Sequence, residues 1–274
     1  ASANDATVAM AEFIAGTEVD FVEMMNEKVK ELGLENTHFK NSTGLDEEDH
    51  YSSAYDMAII AKELLKHEKI LEFSSVYEDY LREDTDNKFW LVNTNKLVRF
   101  YEGADGLKTG HTDAAKYCLA ATAKRNDFRL IAIVLGEENS TTRNSETMAL
   151  LDYGFNNYQL NVVKKKTDVI KTIALAKANK KSIDIVPLND VAILSKKGTN
   201  NMKEYTYEVK IDNMKLPLNK GDEVGKLIVK NGTEIIKEAP LTITENVKSL
   251  SFLELFKNTI LDTLTGNISY ETAN

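Results

Sequence analysis

Two apolar segments separated by a short polar turn restrict the fold of this chain more than any other feature. Residues 117–124 and 128–135 are rich in Ala, Leu, Ile and Val, and Arg125-Asn126-Asp127 lies between them. This spacing is typical of a tight antiparallel hairpin. Residues 143–155 then return to helical spacing. The sequence therefore predicts a pair of strands between helices.

Capping signals mark three helices ahead of the hairpin. The first stops at Gly16, and Thr17-Glu18-Val19-Asp20 has the form of a capping box that opens the second. Gly33 closes that second helix. Ser53, followed three residues later by Asp56, starts the third. We expect a loop over residues 36–49, which are rich in Asn, Ser, Thr, Gly and acids.

The pattern changes again near residues 158–166, where we place a domain boundary. Residues 161–247 consist of short strand patterns and turns, and the clearest is a hairpin over residues 226–237 with Asn231-Gly232 at its tip. We therefore predict domains at 1–160 and 161–247, followed by an amphipathic tail at 248–274. The tail's apolar residues at helical spacing are Leu250, Leu253, Phe256, Ile260 and Leu264.

The composition limits the classes of function. The chain has 274 residues, of which 42% are hydrophobic, enough for a packed core. A net charge of −9 argues against a general role in binding nucleic acid. Cys118 is the one cysteine, so no disulfide forms within the chain, and its apolar strand predicts an inert core position. No run reaches the roughly 18 apolar residues of a membrane-spanning helix.

The first residues, Ala1-Ser2-Ala3-Asn4-Asp5, have neither the basic region nor the apolar core of a signal peptide. They read like the middle of a domain. We therefore expect that residues were removed upstream of Ala1.

Ser2 and Asn4 are two residues apart and can face one cleft from a loop. The hydroxyl can relay a proton, and the carboxamide can hold a peptide carbonyl. The structural alternative is that one of them caps the helix that follows. The pair alone does not decide between these roles.

Lys108-Thr109-Gly110 offers an ammonium, a hydroxyl for a carboxylate, and a glycine where a substrate backbone can approach closely. A peptide could pair along such a strand edge by strand addition. The alternative is an exposed strand start with a turn glycine. His111 is a candidate base, an exposed side chain, or a source of a backbone N–H for an oxyanion hole, and we favour the last.

The other histidines give no metal signal. His38, His50 and His67 lack the spacing to acidic or thiol neighbours that a metal site needs. We therefore assign no metal, and no cofactor is expected.

Several ordered motifs together resemble one family, the low-molecular-mass penicillin-binding proteins, which are serine-type D-alanyl-D-alanine carboxypeptidases. A run of such motifs is far more specific than any one of them. The segments that carry the resemblance are Ser2-Ala3-Asn4-Asp5-Ala6, residues 32–39, Gly44-Leu45-Asp46, residues 105–113, residues 133–136, Arg143 and residues 151–155.

The resemblance implies a penicillin-binding transpeptidase-like and β-lactamase-like domain of α/β (α+β) class, followed by a small all-β domain. It implies removal of the terminal D-alanine from peptidoglycan stem pentapeptides through an acyl-enzyme, and binding of β-lactam antibiotics. It also implies a place on the outer face of the cytoplasmic membrane, which the C-terminal helix would contact.

Roles for individual residues follow from the resemblance as well. The resemblance implies that Ser2 relays a proton, Asn4 holds the substrate amide and Lys108 supplies positive charge. Thr109 would bind the terminal carboxylate, and Gly110 would let the substrate approach closely. The backbone N–H of His111 would stabilise the oxyanion, and Arg143 would steer the terminal carboxylate.

Two departures from the family pattern stand out. No serine in the chain has lysine three residues later, so the family's nucleophile motif Ser-x-x-Lys is absent. Residues 37–40 and 85–88 have a similar shape with threonine, but in the wrong place. Thr43 also stands where some members carry histidine before Gly-Leu-Asp.

Three hypotheses remain open at this point. The first is an enzyme whose acylating serine and lysine lie on a missing N-terminal segment, either upstream in the same chain or present as a second chain, so that this chain alone is inactive. The second is a non-catalytic protein that binds cell-wall peptide with a degenerate site. The third, β-lactamase-like hydrolysis, lacks a glutamate in a motif that would serve as deacylating base.

Overall fold

The computed structural model describes residues 2–198, 205–212 and 214–264, and the chain divides into two compact units, residues 1–158 and 159–274. The first unit combines helices with sheets. In chain order its elements are α1 Asn4–Ala15, α2 Glu18–Glu31, α3 Ala54–Leu64, α4 Lys69–Ser74, β1 Glu78–Leu81, β2 Phe89–Val92, α5 Leu97–Phe100, β3 Ala104–Thr112, β4 Lys116–Arg125, β5 Phe128–Glu137 and α6 Ser140–Asn157.

The predicted hairpin is confirmed as β4 and β5. Arg125 pairs with Phe128, so Asn126 and Asp127 form a two-residue turn, and Asn126 takes a left-handed φ of 55°. Strand β3 joins on the other side of β4, which gives an antiparallel sheet in the order β3-β4-β5. Residues 108–110 therefore lie on an edge strand.

The predicted helix caps are also confirmed. The Thr17 hydroxyl accepts from the Asp20 backbone N–H at 3.1 Å and donates to its carboxylate at 2.7 Å. Ser53 caps α3 in the same way, through the N–H of Asp56. The carboxylate of Asp56 is buried and accepts from the N–H of Asn36 and the hydroxyl of Thr37, at 2.9 and 2.8 Å. Helix α3 thus holds the start of the loop that follows α2.

The core of the first unit lies between the sheet and α6. Three of the buried sheet residues are alanines, whose short side chains let α6 lie close to the sheet. Leu130 is so near Gly154 that a Cβ added at Gly154 would lie 2.4 Å from the Leu130 side chain. The helix therefore packs tightly against the strands that carry the site. The buried side chains of this core are Leu97, Tyr101, Leu119, Ala121, Ala123, Ala132, Leu151 and Phe155.

The second unit is β-rich, as the sequence predicts. Its strands form an antiparallel sheet in the order β10-β11-β12-β8-β7 and a two-stranded sheet of β6 and β9. The elements are β6 Tyr158–Lys164, β7 Lys171–Ala174, β8 Ser182–Pro187, β9 Val191–Lys196, β10 Thr206–Ile211, β11 Gly225–Asn231, β12 Glu234–Ile243 and α7 Phe252–Leu264.

The tip of the β11–β12 hairpin corrects the sequence prediction by one residue. Asn231 pairs with Glu234, so Gly232-Thr233 forms the turn instead of Asn231-Gly232. Leu227 and Val229 are fully buried and fix the register of β11, and a one-residue register shift between Val229 and Lys230 then leaves a two-residue turn.

The tail helix begins later than predicted. Ser249 pairs with Ala178 and the Leu250 N–H donates to Lys177, so both residues belong to the β-rich unit. Ser251 then caps α7, because its hydroxyl oxygen accepts from the Glu254 N–H at 3.4 Å while its own N–H donates to the Glu254 carboxylate at 2.8 Å. Residues 265–274 of the predicted tail lie outside the described residues. No helix in the described ranges is long and apolar enough to cross a membrane.

Gly225 is the most restrictive glycine of the β-rich unit. Its φ is 155°, and a Cβ there would lie 2.2 Å from the backbone oxygen of Lys210 on the neighbouring strand. We expect Gly225→Ala to lower the free energy of unfolding by about 2–4 kcal/mol, because the β10–β11 ladder must separate. Denaturant titration measures this.

The matched control is Gly232→Ala, at a left-handed turn position with no atom within 4 Å of the added Cβ. Its cost should be about 1–2 kcal/mol, from backbone strain alone. Equal effects of the two substitutions would contradict the steric argument.

Candidate active site

Strand β3 brings the candidate residues to the edge of the sheet. Its ladder with β4 pairs Lys108 with Ala120, Thr109 with Leu119 and Gly110 with Cys118. A Cβ at Gly110 would only make ordinary contact, 3.7 Å, with the Cβ of Cys118. The packing of the protein therefore does not itself require glycine at this position.

Three contacts fix the approach to this strand. Arg129 donates twice to the Asp105 carboxylate, at 2.7 and 2.8 Å. The Ser74 hydroxyl donates to the Asp105 carbonyl at 2.7 Å. Buried Asn95 donates its side-chain amide to the Gly106 carbonyl at 2.9 Å. Because two of these contacts bind backbone carbonyls, they set where the chain runs as it enters Lys108.

Lys108 carries a positive charge with no anionic partner in the described part of the chain. The residue is exposed as a whole, and its ammonium donates to the Thr109 carbonyl at 2.5 Å. Burial lowers the pKa of Lys108 from its ordinary value. The site therefore holds a desolvated ammonium that a negatively charged ligand would stabilise.

A cavity of about 310 Å³ brings part of the predicted set together. Ser2, Lys108 and Thr109 all line it, with Ser74, Tyr77 and Thr94 among the other wall residues. Asn4, Gly110, His111 and Arg143 are not among its lining residues.

The helix that follows Ser2 is not capped by either candidate. Ala3 occupies the N-cap position of α1 and no side chain caps it. The structural alternative for Ser2 and Asn4, a helix N-cap, is therefore wrong. Asn4 is instead the first helical residue and is exposed.

His111 and Arg143 lie toward the other end of β3. The imidazole of His111 contacts the ring of Tyr117 across the ladder, with ring centroids 4.1 Å apart and the ring planes tilted by 45°. Arg143, on α6, is only 5% exposed and donates to the amide oxygen of Asn144 at 3.0 and 3.2 Å. Burial lowers the pKa of Arg143, whereas the nearby groups of Cys118 and Tyr117 raise it. Among the described residues no carboxylate pairs with this guanidinium.

The sequence analysis missed Asn93-Thr94-Asn95. The hydroxyls of Thr94 and Thr109 lie 2.6 Å apart, and Asn95 reaches the backbone behind Lys108. The available signal was an Asn-x-Asn triplet after a short strand, since Asn side chains bind backbone groups at turns. That signal predicts a turn, but not which strand the turn contacts.

Comparison with known proteins decides the family. Residues 1–139 match the family model of D-alanyl-D-alanine carboxypeptidase, which is more than half of the chain. The chain belongs to the D-alanyl-D-alanine carboxypeptidase family. Residues 158–249 match a second model, the C-terminal domain of penicillin-binding protein 5. The resemblance drawn from the short motifs is thereby confirmed.

Two curated relatives show how far the match extends. The D-alanyl-D-alanine carboxypeptidase DacF of Bacillus subtilis is 49% identical over 96% of this chain, which covers 67% of that protein. DacA of Escherichia coli, also a D-alanyl-D-alanine carboxypeptidase, is 33% identical over 92% of the chain, which covers 62% of it. The chain thus spans about two thirds or less of the length of these carboxypeptidases.

Solved structures of the family confirm the fold class. Penicillin-binding protein 5 of Haemophilus influenzae matches with a TM-score of 0.63 at 32% identity, over 90% of this chain and 72% of that one. PBP3 of Streptococcus pneumoniae, described as a peptidoglycan synthesis regulatory factor, matches with a TM-score of 0.67 at 26% identity, over 89% and 74%.

Because burial lowers the pKa of Lys108, its charged form reduces the stability of the folded protein. Below the folded pKa the unpaired ammonium destabilises the fold, and the penalty disappears as pH rises toward the unfolded lysine value of about 10.4. We expect Lys108→Met to raise the free energy of unfolding at pH 7, by no more than about 1 kcal/mol because the side chain is partly exposed. Denaturant titrations between pH 7 and 10.5 should show the difference shrinking.

Exposed Lys124 on β4 is the matched control. Lys124→Met should change the free energy of unfolding by less than about 0.5 kcal/mol. A Lys108→Met protein that is less stable than wild type at pH 7 would contradict the argument.

Proposed function

We propose that this chain is the larger part of a serine D,D-carboxypeptidase that removes the terminal D-alanine from peptidoglycan stem pentapeptides. The observation that carries the proposal is the cavity beside the edge strand β3, where Ser2, Lys108 and Thr109 meet. Family membership supplies the reaction class.

Substrate binding would use the open side of β3. Within the described residues β3 pairs only with β4, so an extended peptide can add along its other edge. The hydroxyl of Thr109 would bind the terminal carboxylate, and Gly110 would leave room for the peptide backbone. Arg143, buried without a carboxylate partner in the described part of the chain, would steer that carboxylate.

The chemistry would pass through an acyl-enzyme. A serine oxygen attacks the carbonyl carbon between the two D-alanines, the C–N bond breaks, and the departing amine takes up the serine's proton. Water then hydrolyses the ester. Ser2 would relay the proton, Asn4 would hold the substrate amide, and the backbone N–H of His111 would stabilise the oxyanion.

No serine in these 274 residues is followed by lysine at the third position, so the sequence lacks the family's Ser-x-x-Lys motif. We propose that the acylating serine and its lysine lie on a segment outside this sequence, joined to Ser2 or supplied as a second chain. The same absence favours the alternative, a non-catalytic protein that binds cell-wall peptide. On either proposal the chain alone is inactive.

Acylation by penicillin tests the enzymatic proposal. In a longer form that carries Ser-x-x-Lys ahead of Ser2, we expect Lys108→Ala to slow acylation by about 100-fold or more, because the ammonium lies where negative charge gathers. A stopped-flow assay with a fluorescent penicillin measures the rate.

The control for this assay is Lys124→Ala, an exposed lysine on the neighbouring strand, which should acylate at the wild-type rate. Wild-type kinetics in the Lys108→Ala protein would remove Lys108 from the site. Peptide binding without acylation in every form would favour the binding-protein alternative.

We also propose an extracytoplasmic location on the outer face of the cytoplasmic membrane, with α7 on the membrane surface. The apolar side chains of α7 support this: Leu253 is 77% exposed, Phe256 58% and Leu264 78%. Together with Ile260, which is 44% exposed, they are spaced at three and four residues and form one apolar stripe. Burial of that stripe, rather than attraction to anionic lipid, would drive binding because α7 carries few lysines.

Vesicle cosedimentation tests the membrane proposal. We expect Leu253→Ser together with Phe256→Ser to reduce binding to mixed zwitterionic and anionic vesicles by about tenfold or more, because each apolar side chain contributes roughly 1.5–3 kcal/mol on burial. Lys257→Gln is the control and should bind like wild type. If deleting residues 249–274 leaves vesicle binding unchanged, α7 packs elsewhere and the membrane proposal fails.

A further inference from the structure

The hydroxyl of Thr94, which contacts that of Thr109, is the feature of the cavity that the proposed mechanism does not use. Their oxygens lie 2.6 Å apart, and both residues line the cavity. Thr109 is 8% exposed, whereas Thr94 is an exposed residue. Within the described residues this contact is the one side-chain hydrogen bond that either hydroxyl makes.

Thr94 is held on both sides by asparagines. Asn93 donates its side-chain amide to the carbonyls of Ser74 and Val76, at 3.0 and 2.9 Å. Its side-chain oxygen accepts from the N–H of Asn95 at 2.8 Å, which bends the chain around Thr94. Asn95 is 1% exposed and donates to the Gly106 carbonyl. The backbone at Thr94 is therefore fixed relative to β3.

The direction of the Thr94–Thr109 hydrogen bond decides what Thr109 can do. A hydroxyl has one proton and two acceptor lone pairs. If Thr109 donates to Thr94, it has no proton left for a ligand. If Thr94 donates to Thr109, the Thr109 proton is free to point into the cavity, and the chain of two hydroxyls polarises that proton further.

We propose that Thr94 is a positioning residue that donates to Thr109 and thereby turns the Thr109 hydroxyl proton toward an anionic ligand. The ligand is a peptide C-terminal carboxylate, so the inference rests on the proposed function. Thr94 does not touch the ligand and acts through Thr109. An anion in the cavity favours this direction of the bond, since it needs a donor and repels a lone pair.

Ligand binding to the chain as it exists provides the test, because it needs no nucleophile. The probes are an N-acetylated tripeptide that ends in D-Ala-D-Ala with a free carboxylate, and the same peptide as its C-terminal amide. Titrations followed by NMR chemical shifts measure weak as well as tight binding. The variants are Thr94→Val, which keeps the shape and removes the hydroxyl, and Thr94→Ser, which keeps the hydroxyl.

We expect Thr94→Val to weaken binding of the free acid about three- to tenfold, the value of one hydrogen bond, and to leave binding of the amide unchanged. Thr94→Ser should restore the wild-type affinity. In a Thr109→Val background, Thr94→Val should have no further effect, because the residue it acts through is gone. Melting temperatures of all variants, with Thr94→Ala as a second deletion of the hydroxyl, check that they fold.

The outcomes separate the inference from the function it rests on. A wild-type chain that binds acid and amide equally would overturn the carboxylate site and the inference with it. Preference for the acid in wild type, unchanged in both Thr94→Val and Thr94→Ala, would overturn the inference alone. A further loss on adding Thr94→Val to Thr109→Val would show direct contact with the ligand and would also overturn the positioning role.

Discussion

The position of β3 is the constraint on which the rest of the site depends. The strand has a ladder partner on one side only in the described residues, so its place is set by β4 and by contacts at its start. Arg129, Ser74 and Asn95 bind Asp105 and Gly106 from three different elements. Lys108 and Thr109 therefore face the cavity from a fixed backbone, while the outer edge of the strand stays free for a peptide.

Two cations of the first unit, Lys108 and Arg143, have no carboxylate partner among the described residues. Lys108 is partly desolvated beside the cavity, and Arg143 is buried on α6 with only the amide of Asn144 as a side-chain hydrogen-bond partner among the described residues. A fold selected for stability alone would pair or remove such charges. Their retention fits a site that receives its anion from a ligand.

Local signals predicted most of the fold. Residues that are close in sequence determine helix caps, tight turns and apolar periodicity. The structure contains the predicted caps at Thr17 and Ser53 and the predicted turn at Asn126. The polar region at residues 72–88 is only weakly periodic in sequence, yet it contains β1, and Ser74 within it binds Asp105, 31 residues away. Asn93, for example, binds Ser74 from 19 residues away. A contact between residues so far apart produces no periodic pattern in the sequence from which it could be predicted.

For the site, the sequence and the family resemblance named Ser2, Lys108 and Thr109, which the fold then brings to one cavity. Thr94 could not be named, because its hydroxyl matters only through a partner 15 residues away. The alternative of a helix cap at Ser2 or Asn4 is wrong for a local reason. Ser2 has a left-handed φ of 60°, which puts the extended N-cap conformation at Ala3 instead.

The two hydrophobic cores have a consequence for how the sequence can change over evolutionary time. The core of the β-rich unit draws on buried residues between 178 and 247, and that of the first unit on residues between 97 and 155. Neither core contains a residue of the other. A lineage can therefore repack or exchange the β-rich module while the geometry around β3 is inherited unchanged, and selection on substrate can act on the first module without eroding the second.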